Sequence, residues 1–148
     1  MNDQIEIKVL NGKDAKNFVD PFYKANNKPH SARDTDIFFC AFISNQIIGT
    51  VRFCTEENTS LLRSMLIHEN YRFQRIGHSL LKEFESHLIA HNIQDTFCIP
   101  YTHLLKFYGL IGFEEINANE TPEFLYQRFL SYLEKYPDNS YSMMIRKS

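Results

Sequence analysis

The sequence predicts a mixed α/β domain built on one sheet, and three observations predict it. Short apolar runs of strand character fill the front half in a hairpin-like arrangement. From Ile76 to His91 the apolar period changes to three and four residues, as in an amphipathic helix. A short apolar run near Thr96 follows, so strand, helix and strand there make a β-α-β unit.

In chain order, Ile5, Ile7 and Val9 alternate with polar residues like a half-buried strand, and Asn11-Gly12 breaks the pattern before a first helix. The polar stretch from Asn26 to Asp36, with Pro29, reads as a surface loop. Ile37 to Ser44 and Gln46 to Phe53 are β-rich runs separated by Ser44-Asn45, which predicts a hairpin. Glu56 to Ser60 makes the next turn, and Leu61 to His68 a further strand. Leu80, Leu81, Phe84 and Leu88 form the apolar stripe of the following helix. Thr96 to Ile99 is a short strand ended by Pro100. Thr102 is placed to cap a helix through Leu104, Leu105 and Tyr108 that closes at Gly112. Phe113 to Ile116 is a strand. Thr121-Pro122-Glu123 reads as N-cap, first-turn proline and dipole-matched acid, opening a helix with Leu125, Phe129, Tyr132, Leu133 and Tyr136 inward and Pro137 at its end. Tyr141 to Arg146 is the last strand.

A chain of 148 residues fits one domain spanning 1–148, with no repeat or linker to divide it. Hydrophobic residues at 43% and charged residues at 23% are the balance of a globular protein. A formal net charge of −2, with no basic run or zinc-finger pattern, argues against nucleic acid as a partner. Cys40, Cys54 and Cys98 are widely spaced within apolar runs, so they read as buried thiols, and no Cys/His cluster suggests a metal. The polar start lacks signal-peptide character, and no apolar run approaches the roughly 20 residues that span a bilayer. The expected compartment is the cytoplasm, with no membrane partner.

The most informative stretch runs from Met65 through His68, Glu69 and Arg72 to Leu81: an apolar strand, a polar turn and an amphipathic helix. Its chemistry is anion binding. The first N–H groups of a helix have no internal partners and carry the positive dipole end, so several directed into one turn can hold a pyrophosphate. Phe73, Gln74, Arg75, Ile76, Gly77, His78 and Ser79 supply those amides, and Gly77 permits close backbone approach. Between Leu61 and Lys82 four basic residues stand against one acidic residue, a field that suits a phosphorylated ligand.

Arg72, Ile76 and Gly77 resemble the Arg/Gln-x-x-Gly-x-Gly/Ala signature of the GNAT superfamily of acetyl-CoA-dependent N-acyltransferases. Arg75 stands where the first glycine is usual, so the turn must form without that glycine's freedom at positive φ. A second block, Phe107-Tyr108 to Gly112-Phe113, is similar to the superfamily's Phe-Tyr-x-x-x-Gly-Phe element. The resemblance covers Ile5 through Ile116; the helix from Thr121 to Tyr136 before the final strand is less usual. It implies a mostly antiparallel mixed sheet of six to seven strands flanked by helices.

The resemblance also implies a reaction: a primary amine, on a small molecule or peptide, attacks the thioester of acetyl-CoA directly. Leu66 and Ile67 would pair with the pantetheine arm in the manner of an added strand, in a slot where the central strand splays from the one near Thr96. Tyr108 would serve the departing thiolate, or is a core aromatic beside Phe107. The attacking amine needs a base or water chain, and His103, which starts the Tyr108 helix, is the candidate, against a reading as a cap or surface residue. His68 and Glu69 read as turn residues. Tyr101 stands where many relatives have an asparagine that helps hold the cofactor. Arg128 either holds a substrate carboxylate or pairs with Glu123 or Glu120. From Glu115 to Asp138 five acids stand against two bases, which would suit a cationic acceptor or simply a solvated face. The competing functions are an acyl-CoA-binding module without turnover and a structural domain. The sequence is compatible with a homodimer and identifies neither the amine nor the acyl chain length.

Overall fold

The computed structural model describes residues 4–147. Seven strands form one open sheet: β1 Ile5–Asn11, β2 Ile37–Ile43, β3 Gln46–Glu56, β4 Thr59–Ile67, β5 Thr96–Cys98, β6 Glu114–Ile116 and β7 Met143–Arg146. Their spatial order is β1-β2-β3-β4-β5-β7-β6, and only β4 and β5 run parallel. The helices are α1 Gly12–Ala25, α2 Ile76–Ala90, α3 Leu105–Gly109 and α4 Glu123–Lys135.

Local sequence explains the front half. Asn11 caps α1 by accepting the Asp14 N–H at 2.9 Å. Gly12 follows because a Cβ there would meet the Arg33 carbonyl oxygen at 1.7 Å. Ser44-Asn45 and Glu57-Asn58 each put two consecutive residues at positive φ, the two-residue turn whose twist matches an antiparallel hairpin. The second turn is thus shorter than the sequence suggests, and β4 begins at Thr59.

The strands alternate between two apolar faces. Phe39, Val51, Phe53, Leu62, Cys98 and Met144 meet the α2 stripe of Leu80, Leu81, Phe84 and Leu88 on one face. Phe38, Cys40, Phe42 and Leu66 meet α1 on the other. On that second face, Cys54, Leu61, Phe97, Met143 and Ile145 meet Leu125, Phe124 and Phe129 of α4. All three cysteines are free and buried.

Five expectations about the back half need correction. Thr102 does not cap α3; its hydroxyl lies 2.9 Å from that of Ser140 and 3.0 Å from that of Ser142, tying the β5 exit to the start of β7. The helix is accordingly one short turn, Leu105–Gly109, after a 3-10 turn at Thr102–Leu104. At α4 the capping position is Pro122, while the Thr121 hydroxyl donates backward to the Ala118 carbonyl at 2.6 Å. Leu133 and Tyr136 point to solvent rather than inward, because α4 lies over the sheet only through its first half and buries Leu125 alone. Tyr141 forms an isolated bridge with Tyr101 ahead of β7.

Candidate active site

The slot begins with a bulge. Thr50 lies opposite Leu66 and Arg52 opposite Arg63, so β4 spends one more residue than β3 over this interval. The extra residue is Ser64, at φ 58°, and its carbonyl accepts the Tyr23 hydroxyl of α1 at 2.7 Å. The bulge bends β4 away from β5. Their parallel pairing stops after Ser60 with Thr96 and Leu61 with Phe97, so from Leu62 to Ile67 the β5-facing edge of β4 has no strand partner among the described residues.

The two strand residues singled out in the sequence divide here. His68 N–H donates to the Ile48 carbonyl at 2.8 Å, and alternation then turns the N–H and C=O of Ile67 away from β3 and toward the slot. Leu66 is directed the other way, opposite Thr50, with its side chain in the α1 cluster.

Beyond β4 the chain makes a 3-10 turn, Glu69–Tyr71, capped by His68, whose Nδ1 accepts the Asn70 N–H at 3.1 Å. Arg72 folds back and donates from Nε to the Ile67 carbonyl at 3.3 Å. Arg75 adopts φ 64° without being glycine and stands immediately before α2; Phe73 does the same at φ 66° with its ring fully exposed. From Phe73 to His78 no backbone N–H finds an acceptor among the described residues; Ser79 is the first to bond back, to the Arg75 carbonyl at 3.2 Å. Six amides therefore end the open edge of β4 with their hydrogen bonds unused. Beside them a surface cavity of about 480 Å³ is lined by Arg75, His78, Ser79 and Lys82. Gly77 serves packing more than the turn: a Cβ there would lie 2.9 Å from the Phe107 ring of α3.

Tyr108 is buried against Phe107 and Phe113. Burial, and secondarily the Cys98 thiol, pushes its phenol far above the ordinary tyrosine range, so it stays protonated. Its hydroxyl makes no hydrogen bond to a described residue. His103 is exposed and stacks on Tyr101 with ring centroids 5.7 Å apart. Tyr101 in turn stacks on Tyr141. With Thr102, Asp138, Asn139 and Ser140, His103 and Tyr101 line a shallow cavity of about 540 Å³.

The α1/α4 face holds charges whose meeting the sequence did not reveal. Arg128 pairs neither with Glu123 nor with Glu120; it reaches across to Glu56 at the end of β3, bidentate at 2.8 and 3.1 Å. Arg63 shares the same carboxylate at 3.1 Å. Burial works to raise the Glu56 carboxyl, but the Arg128 hydrogen bonds and the surrounding cations outweigh it and hold it below the usual range. Alongside, buried Asp36 pairs with Arg33 at 3.2 Å and with buried Arg52 at 3.3 Å. Residue spacing alone hides these groupings because their members lie on separate strands and loops. No group of described residues is arranged to hold a metal ion, and no described helix is long and apolar enough to cross a membrane.

An acetyltransferase (GNAT) domain family model matches residues 6–126. A GNAT-family acetyltransferase from Staphylococcus aureus Mu50 superposes with a TM-score of 0.64 at 20% identity, over 97% of this chain and 99% of that one. Escherichia coli ElaA gives 0.72 at 13% identity, over 97% and 100%. N-acetylglutamate synthase from Neisseria gonorrhoeae, in complex with coenzyme A and N-acetyl-glutamate, gives 0.65 at 13% identity, over 99% of this chain and 36% of that one. No significant match is found among curated protein sequences. The family model and the shared architecture together place this chain in the GNAT acetyltransferase family.

Proposed function

We propose that the chain is a single acyltransferase domain that transfers the acetyl group of acetyl-CoA to a primary amine. One observation carries the reading: the open edge of β4 leads, through the Glu69–Tyr71 turn, into six backbone amides with no acceptor among the described residues. An extended arm paired along that edge ends with its pyrophosphate on the amides of Phe73 to His78. The neighbour from Neisseria gonorrhoeae, solved with coenzyme A, supports the choice of ligand.

In the proposed reaction the amine nitrogen attacks the thioester carbonyl carbon, a C–N bond forms and the C–S bond breaks. The Tyr108 hydroxyl, protonated and free of other hydrogen bonds, donates its proton to the departing sulfur. The amine sheds its own proton to His103, directly or through water; the exposed imidazole lines the cavity beside Tyr101. Steady release of CoA thiol from acetyl-CoA with an amine panel, alongside calorimetric titration of acetyl-CoA, tests the reading. Binding without thiol release would identify a binding module instead; neither would leave a structural domain.

A further inference from the structure

We propose that the acceptor amine carries an oxyanion, a carboxylate or a phosphate, and that Arg52 and Arg63 receive it on the α1/α4 face at the fork of the slot. This rests on the acyltransferase reading and specifies its substrate class.

The two arginines are directly opposite one another on β3 and β4, so their side chains share a face. Like charges in that relation repel, and a sheet that keeps them needs an anion between them. The chain's own carboxylates do not complete the account. Across Arg33, Arg52, Arg63 and Arg128 there are four cations, and among the described residues only the carboxylates of Asp36 and Glu56 answer them. Glu56 is committed to the Arg128 fork and to one nitrogen of Arg63. Asp36 is committed to the Arg33 N–H and guanidinium and to one nitrogen of Arg52.

Donors remain. Nε of Arg52 is buried with no hydrogen-bond partner among the described residues, in a side chain only 5% exposed. A buried unused guanidinium donor is costly unless a ligand or water meets it. Arg63 spends a single nitrogen on Glu56 and stays 29% exposed, open to a ligand. The surrounding field agrees: burial, then the charges of Arg52, Arg63 and Lys28, lowers the neighbouring His30 to about 4, so it adds no competing cation.

Position ties this seam to the chemistry. Arg63 lies two residues beyond Leu61, where β4 leaves β5, and next to the Ser64 bulge that opens the slot. By contrast, the acidic residues between Glu115 and Asp138 are all exposed, while the charge α4 turns toward the sheet is Arg128. A cationic acceptor gains nothing at the fork.

The test uses the full chain with acetyl-CoA and matched amines: free amino acids against their carboxamides, O-phosphoethanolamine against ethanolamine, and spermidine as a cation. The first two pairs separate carboxylate from phosphate. In at least one pair the anionic member should show kcat/KM about tenfold or more above its neutral partner. Arg63→Gln should abolish that preference, and Arg63→Lys, which keeps the charge and loses the fork, should restore part of it. Calorimetric titration of the same pairs into the wild-type chain loaded with acetyl-CoA gives a readout independent of how the variants fold. Better use of neutral or cationic amines, an unchanged preference in a folded Arg63→Gln, or no binding of any anionic member overturns the inference and leaves the acyltransferase reading standing. Failure to bind acetyl-CoA overturns both.

Discussion

The two sides of the slot are built on different principles. At the Phe73 to His78 turn the groups proposed to bind are backbone amides, set by chain direction and helix start, with the side chains of Phe73, Gln74 and Arg75 exposed around them. On the α1/α4 face the groups that matter are guanidinium and carboxylate side chains brought from β3, β4, α4 and the loop before β2. The first kind of site tolerates changes of residue so long as the backbone keeps its path, which explains how Arg75 stands in place of a glycine. The second depends on each side chain.

Four experiments would break or sharpen that contrast. The largest effect is expected where a side chain does enter the cofactor half. Tyr108→Phe removes one oxygen that bonds to no described residue, so single-turnover acetyl transfer should fall about 10²–10⁴-fold while thermal melting stays close to wild type. Wild-type rates would remove Tyr108 from the mechanism. Next, Gly77→Glu should weaken acetyl-CoA binding by about tenfold or more in calorimetry, since it drives a side chain into the Phe107 ring and a negative charge beside the free amides. Unchanged affinity would place the pyrophosphate elsewhere.

Arg75→Gly asks whether the turn carries backbone strain. A left-handed conformation costs a non-glycine residue about 1 kcal/mol, so the variant should gain stability of that order in urea denaturation. A loss would show that the arginine side chain, 3.5 Å from His78 Nδ1, matters more than its φ.

The smallest effect belongs to the cationic face. His30 stays neutral in the folded chain down to about 4, held there by burial and then by Arg52, Arg63 and Lys28. An unfolded histidine binds its proton at about 6.5, so on acidification the unfolded state takes up the proton first. The contribution is therefore complete above about 6.5 and is lost progressively as the pH falls toward 4. His30→Gln should flatten that part of the stability profile, and an unchanged acid limb would mean that neither burial nor the cations hold the ring neutral.

What was legible in the sequence follows the same division. Periodicity marked the sheet, α2 and the β-α-β unit because those elements bury continuous stripes. The polar turn that leads into α2, proposed as the anion site, could be singled out because its residues are consecutive. Arg128 was misplaced because Glu123 and Glu120 are its near acids along the sequence, whereas the actual partner, Glu56, is brought by the packing of α4 on β3. Thr102 and Thr121 were read as caps because hydroxyls at helix starts usually serve N–H groups; here Thr102 meets the distant Ser140 and Ser142 hydroxyls, and Thr121 the local Ala118 carbonyl. Tyr136 and Leu133 follow the helical period, but α4 runs past the sheet before reaching them.

The extra residue at Ser64 has a further effect on how this strand tolerates change. It acts as a phase shift: Leu62 faces α2, yet after the added residue Met65 and Ile67 face α2 and Leu66 faces α1. Deleting that residue would restore uniform alternation and leave Met65 and Ile67 facing α2 and Leu66 facing α1. Straightening the strand with the residue kept would instead turn Met65 and Ile67 toward Tyr23, and Leu66 toward α2. What a one-residue shortening removes is the bulge, together with the carbonyl that Tyr23 holds, so it acts on the path of the strand and spares the identity of both walls.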